Sequence, residues 1–146
     1  KLRQDQVIRA RLNIGWLRSD LLKDNTGQGG LHPAPFGRDG VDLLVFPDAS
    51  LGGYLGDLRQ PDPAELPPAL YPDGPELAAI TAAAGDMTVC IGYTEAVGDQ
   101  RFNTAVCVTG DGVLGTHRKV HQPAGEALAY AAGDQFGSFD TPVGRL

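Results

Sequence analysis

FNTAVCVTGDGVLGTHRKVH, residues 102–121, is the stretch that decides the fold. Phe102 to Thr109 reads as a buried strand, Gly110-Asp111-Gly112 as a tight turn, and Val113 to Arg118 as the returning strand. Asp-Gly between two apolar runs is a hairpin signal, because these residues accept the backbone angles a tight turn needs. Upstream, Met87 to Tyr93 reads as another buried strand. Leu43 to Phe46 is continuously apolar between Asp42 and Pro47, as suits a strand covered on both faces. Between them, Glu76 to Ala84 is alanine-rich and helical, with Gly85 as its stop. Pro61 to Pro75 holds six prolines and reads as an extended surface loop. Downstream, Ala124 to Ala132 reads as a short helix ended by Gly133. Buried strands with one clear helix point to α/β or α+β architecture.

The first forty residues differ in character. They carry a net charge of +3, whereas residues 41–146 carry −9. Val7 to Trp16 alternates as a strand with one buried face would. Asn25 to Gly40 holds five glycines and two prolines and reads as loop or disorder. The division expected is an irregular segment over 1–40 and a folded unit over 41–146.

The whole chain of 146 residues is 42% hydrophobic and 21% charged, ordinary for a globular protein. Its net charge of −6 argues against nucleic acid as the main partner. The longest apolar runs are too short for a membrane helix, and Lys1-Leu2-Arg3 does not lead into a signal peptide. The expectation is therefore a cytoplasmic protein with no membrane partner. Two cysteines are too few for a disulfide scaffold. The chain begins with Lys and stops at Gly144-Arg145-Leu146, which reads as a piece of a longer protein.

Residues fit for chemistry are few. Asp48 follows the Leu43–Phe46 strand and precedes Gly52-Gly53, where loops place catalytic groups; by position alone a turn-capping aspartate is the plainer reading. His117-Arg118-Lys119-Val120-His121 is the densest cationic cluster. If extended, it sets His117, Lys119 and His121 on one face and Arg118 and Val120 on the other. Lys119 suits an oxyanion site, and a solvated strand end is the plainer alternative. His117 and His121 have no carboxylate or cysteine at ligand spacing, so no metal and no cofactor are expected. Cys90 and Cys107 lie in apolar runs and read as small core hydrophobes. Glu95 and Glu126, each taken alone, read as surface carboxylates.

In order along the chain stand LVFPD (44–48), Gly53-Tyr54, GYTE (92–95), FNTA (102–105), DGVLGTHRKVH (111–121), Glu126, Gly133 and FDTPVGR (139–145). Residues 41–146 thereby resemble the N-terminal half of a carbon–nitrogen hydrolase domain of the nitrilase superfamily. The resemblance implies an α/β fold, here part of an α-β-β-α sandwich. It also implies a Glu–Lys–Cys triad: a base after "FP", a lysine in the RKVH-like block and a cysteine nucleophile, with a second glutamate assisting. These roles fall on Asp48, Lys119 and Glu126. A thiol needs a base to attack, an ammonium stabilises the developing oxygen charge, and a second carboxylate keeps that ammonium in place and charged.

Three departures stand out. The base position is Asp, shorter than Glu by one C–C bond, about 1.5 Å. The family's nucleophile follows the G-R motif, beyond Leu146, and neither Cys90 nor Cys107 matches it. The 25–40 stretch stands where the family has its first helix. The expectation is that the intact parent hydrolyses a non-peptide carbon–nitrogen bond of amide type, and that this chain alone is inactive. The alternative is an inactive relative that binds a small molecule or partner. Small amides, nitriles or carbamoyl compounds are the expected ligands, and a homo-oligomer the expected parent. Half a sandwich is also expected to be marginal alone, with open edges and apolar faces.

Overall fold

The hairpin of residues 102–118 is the antiparallel side of a single mixed sheet. A computed structural model describes residues 10–12 and 41–146. Five strands lie in sequence order: β1 (Ala10–Leu12), β2 (Leu43–Val45), β3 (Thr88–Val97), β4 (Gln100–Thr109) and β5 (Gly112–Arg118). β1, β2 and β3 run parallel, whereas β3–β4 and β4–β5 are antiparallel. A parallel pair requires a long crossover, and the one from β2 to β3 contains α1 (Pro75–Ala84). A short hairpin, β6 (Asp140–Thr141) with β7 (Gly144–Arg145), lies apart from the sheet's ladder.

α1 forms where proline can sit at the first turn and alanines follow, and it stops at Gly85, whose φ of 55° suits glycine. Leu77, Ile80 and Ala84 of the helix join one core with Leu44, Val89, Ile91, Tyr93, Val106 and Val108. Alternation on β3 and β4 therefore sends one set of side chains to the helix. The other set, with Cys90, Asn103, Ala105 and Cys107, forms the opposite face. One helical layer over one sheet is the α/β arrangement expected, part of an α-β-β-α sandwich.

β5 departs from an even ladder at one place. Val108 pairs with Val113 but Cys107 pairs with Gly115, so Leu114 is an extra residue in β5. This is a β-bulge. Beyond it, Ala105 faces His117 and Thr104 faces Arg118.

The structure corrects three expectations. The two cysteines are not separate core hydrophobes: Cys90 and Cys107 are joined by a disulfide, 17 residues apart in sequence. They are direct partners across β3 and β4, with Cα atoms 4.2 Å apart. Residues 124–132 make a single 3₁₀ turn, Glu126–Leu128, and not a helix. The reason is competition for backbone: Ala131 N–H donates to the Arg101 carbonyl and Gly133 N–H to that of Lys119, which draws the chain back beside the sheet. Glu95 and Glu126 are not surface carboxylates but buried ones. The strand read over 7–16 meets β1 at Ala10–Leu12. The loop read over 25–40 lies outside the described residues.

Candidate active site

The three side chains expected from sequence to be catalytic come together, Asp48 and Glu126 both meeting Lys119. Its Nζ donates to Asp48 Oδ2 at 3.1 Å and to Glu126 Oε1 at 2.7 Å. The three are separated by up to 78 positions in the sequence, and each is brought in by a different element. Asp48 stands in the turn after β2. That turn folds tightly against β3: Leu51 N–H donates to Gly92 C=O, and a Cβ on Gly92 would lie 2.5 Å from Ala49 N. Only glycine permits that approach. Ala49 itself has φ 47°, a left-handed angle that a residue with a Cβ adopts at a cost. Lys119 continues β5, its N–H donating to Asn103 C=O at 2.8 Å. Glu126 opens the 3₁₀ turn, which is anchored where Gly125 passes against the Leu58 carbonyl.

The two carboxylates differ in environment. Asp48 has a side chain 47% exposed, whereas that of Glu126 is fully buried. Burial, followed by the charge of Asp48, pushes the Glu126 carboxyl up to about 7. The Lys119 ammonium at 2.7 Å works against that rise. The second oxygen of Glu126, Oε2, is buried with no hydrogen-bond partner among the described residues. An ammonium carries three donors, and Asp48 and Glu126 occupy two of those on Lys119. Among the described residues the remaining direction has no partner and is available for an electron-rich ligand atom.

An open cavity of about 270 Å³ lies beside these groups, lined among others by Asp48, Cys90, Gly92, Asn103, His117 and Lys119. That is near the lower end of small-molecule sites. His117 and Lys119 share the cavity face, as the extended reading of the RKVH block required. Phe136, 70% exposed, lies against both His117 and His121, at 5.9 and 5.7 Å between ring centres. Among the described residues no group of three His, Cys, Asp or Glu side chains is arranged for a metal ion. No helix among them is long and apolar enough to cross a membrane.

Arg118 takes the opposite face. It donates to both oxygens of Glu95, at 2.7 and 2.8 Å, and lies over the Phe102 ring. Thr104 Oγ1 donates to the same carboxylate at 2.7 Å. Burial works to raise Glu95, but the hydrogen bonds from Arg118 and Thr104 outweigh it and hold the carboxyl below its ordinary value. This pair was missed in sequence. The available signal was Thr104 and Glu95 at alternate positions of neighbouring strands, together with Arg118 alternating with Lys119.

Comparison with known proteins decides what this geometry belongs to. A family model described as carbon–nitrogen hydrolase matches residues 24–146. The chain belongs to the carbon–nitrogen hydrolases. A nitrilase of Bradyrhizobium diazoefficiens is 36% identical over 129 residues, covering 73% of this chain and 39% of its own length. An (R)-stereoselective amidase of a Pseudomonas species is 32% identical over 98 residues, 66% of this chain and 34% of its own. The chain thus spans little more than a third of the curated carbon–nitrogen hydrolases it matches. A carbon–nitrogen hydrolase superfamily protein of Xanthomonas campestris, solved with an arsenic adduct in its active site, shares the fold. It superimposes with a TM-score of 0.64 at 22% identity, over 94% of this chain and 49% of its own.

Proposed function

We propose that the protein carrying this segment hydrolyses a small carboxamide through a cysteine nucleophile supplied by residues beyond Leu146. The convergence of Asp48 and Glu126 on Lys119 carries this reading. In it, Asp48 takes the thiol proton and the thiolate sulfur attacks the amide carbon. The carbonyl π pair moves to oxygen, where the Lys119 ammonium balances the charge. The intermediate collapses with the proton returned from Asp48 to the departing amine, leaving a thioester. Water attacks that thioester, losing its proton to Asp48, and the acid and free thiol are regenerated. Glu126 holds Lys119 charged and aimed. Nitriles and N-carbamoyl compounds present the same electrophilic carbon and are the further substrate classes.

The disulfide supports placing the nucleophile elsewhere, since both cysteines of this chain are occupied by one another. Within the chain alone, no covalent turnover is expected. A second reading, a binding relative without turnover, is favoured by the aspartate in the base position.

The test uses the full-length protein and measures ammonia release from benzamide, benzonitrile and an N-carbamoyl amino acid. Turnover that falls at least about a hundredfold in both Lys119→Met and Asp48→Asn is the expected result. Binding of these compounds without wild-type turnover establishes the second reading. Turnover untouched by either substitution overturns the roles of Lys119 as oxyanion donor and Asp48 as base.

A further inference from the structure

Asn103, like His117, is a polar group of the cavity that the acid–base scheme leaves without a task. It is 4% exposed and lines the cavity with Asp48 and Lys119. Its amide nitrogen is buried and has no hydrogen-bond partner among the described residues. A donor buried without a partner forfeits its hydration and gains nothing in return, and a carboxamide nitrogen brings two N–H groups. A side chain held in that state at a cavity awaits an acceptor that the described residues do not provide.

Backbone geometry fixes where that donor stands. Asn103 C=O accepts from Lys119 N–H, one step beyond the Thr104–Arg118 pair, so residues 103 and 119 are opposite one another. Side chains directly opposite on one face have Cβ atoms roughly 5 Å apart. The idle amide and the lysine of the site are thus neighbours on the cavity face. Both nitrogens act only as donors, so both complement the same kind of atom, an electron-rich oxygen or nitrogen of the ligand.

We propose that Asn103 contacts the substrate and donates from Nδ2 to the oxygen of the scissile carboxamide. It shares with Lys119 the negative charge that develops there. The inference rests on the hydrolytic reading above. A neutral dipole beside the charged lysine fits this use. It adds a directional bond without adding a second cation that would compete for Asp48 and Glu126.

The experiment is run on the full-length enzyme with benzamide as substrate and benzaldehyde as inhibitor. The aldehyde oxygen becomes an oxyanion when the thiol adds to it. In Asn103→Ala, kcat is expected to fall about a hundredfold, with KM little changed, as for other lost oxyanion donors. Benzaldehyde inhibition weakens by a comparable factor. Asn103→Ser, which keeps one donor on a shorter arm, falls between. A purely structural asparagine lowers the melting temperature and the yield of active sites. It leaves kcat per titrated site and benzaldehyde affinity at wild-type values, and that result overturns the inference. If neither variant folds, the wild-type side-chain amide resonances of Asn103 decide. They move downfield on adding benzaldehyde, or their constancy overturns the inference. Wild-type enzyme inert toward every amide overturns the hydrolytic reading first, and this inference with it. Full activity in Asn103→Ala overturns this inference alone.

Discussion

Replacing Arg118 by methionine tests the internal electrostatics of the sheet. Glu95 has a side chain only 6% exposed and accepts two hydrogen bonds from Arg118 and one from Thr104. Arg118→Met removes two of these and leaves a buried carboxylate with a single neutral donor. Breaking a buried pair in this way costs about 3–5 kcal/mol. The arginine side chain is 39% exposed, so solvent screens it and the expected loss is nearer 2–3 kcal/mol. The pH dependence follows from sign. Glu95 is held below its ordinary value, so its contribution is present above the unfolded pKa and is lost as pH falls through the folded one. In the variant the carboxyl rises and protonates readily, which relieves the buried charge. The difference between wild type and variant is therefore largest at about pH 7 and shrinks toward about pH 4. Urea unfolding of the full-length protein at both pH values measures it. Glu95→Leu combined with Arg118→Met is expected to recover most of the loss, because no charge remains to be solvated. A deficit equal at the two pH values, or a double variant no better than the single, refutes the reasoning.

Three further outcomes rest on the same geometry. Cys90→Ser with Cys107→Ser opens a 17-residue loop and is expected to cost about 3 kcal/mol, read as a lower melting temperature. Dithiothreitol should produce that shift in wild type and none in the serine variant. Glu126→Gln removes a carboxyl raised by burial to about 7. A raised group contributes stability below its unfolded pKa that is lost as pH rises through the folded one. Wild-type stability should therefore decline as pH rises between about pH 4.5 and 7 relative to the glutamine variant, by less than the burial alone dictates because the Lys119 ammonium opposes the rise; parallel profiles exclude the shift. Gly92→Ala places a Cβ 2.5 Å from Ala49 N and 3.1 Å from the Asp48 Cα. Its stability loss is expected at about 1–3 kcal/mol, with a larger effect on turnover, roughly a hundredfold for an ångström of displacement of the base. Wild-type turnover in a folded Gly92→Ala enzyme shows that this turn does not position Asp48.

Local order was legible wherever a residue's own chemistry dictated it. Apolar runs marked β2, β3 and β4, Asp-Gly marked the β4–β5 turn, and the alanine-rich run from Glu76 to Gly85 marked α1, which takes in Pro75 as well. The motif order located Asp48, Lys119 and Glu126, and alternation separated Lys119 from Arg118. What stayed hidden depended on partners distant in sequence. The disulfide required knowing that β3 and β4 pair with Cys90 opposite Cys107, a register that no spacing declares. Glu95 looked like a surface residue because its arginine lies 23 positions away. Residues 124–132 have helical composition, yet the carbonyls of Arg101 and Lys119 capture amides at their end through strands formed elsewhere. Asn103 was part of a quoted motif, but its unsatisfied nitrogen exists only once the cavity does.

Leu114 sets which side chains of β5 meet the cavity. Had β5 continued in the register of its turn, each residue of β4 would face a partner one position earlier, and Asn103 would oppose Arg118. A one-residue slip exchanges the two faces of a strand. The guanidinium would then occupy the cavity and the lysine would be turned toward Glu95. Arginine is a fork of fixed charge, whereas lysine is a compact point donor with mobile protons, so the same order of side chains would present a different reagent. The bulge thus acts as a phase setting for the strand, absorbing one residue so that the next four keep their sides. One more residue added between Gly115 and Thr116, with no second bulge to absorb it, would leave the HRKVH block intact and turn its chemistry away from the ligand.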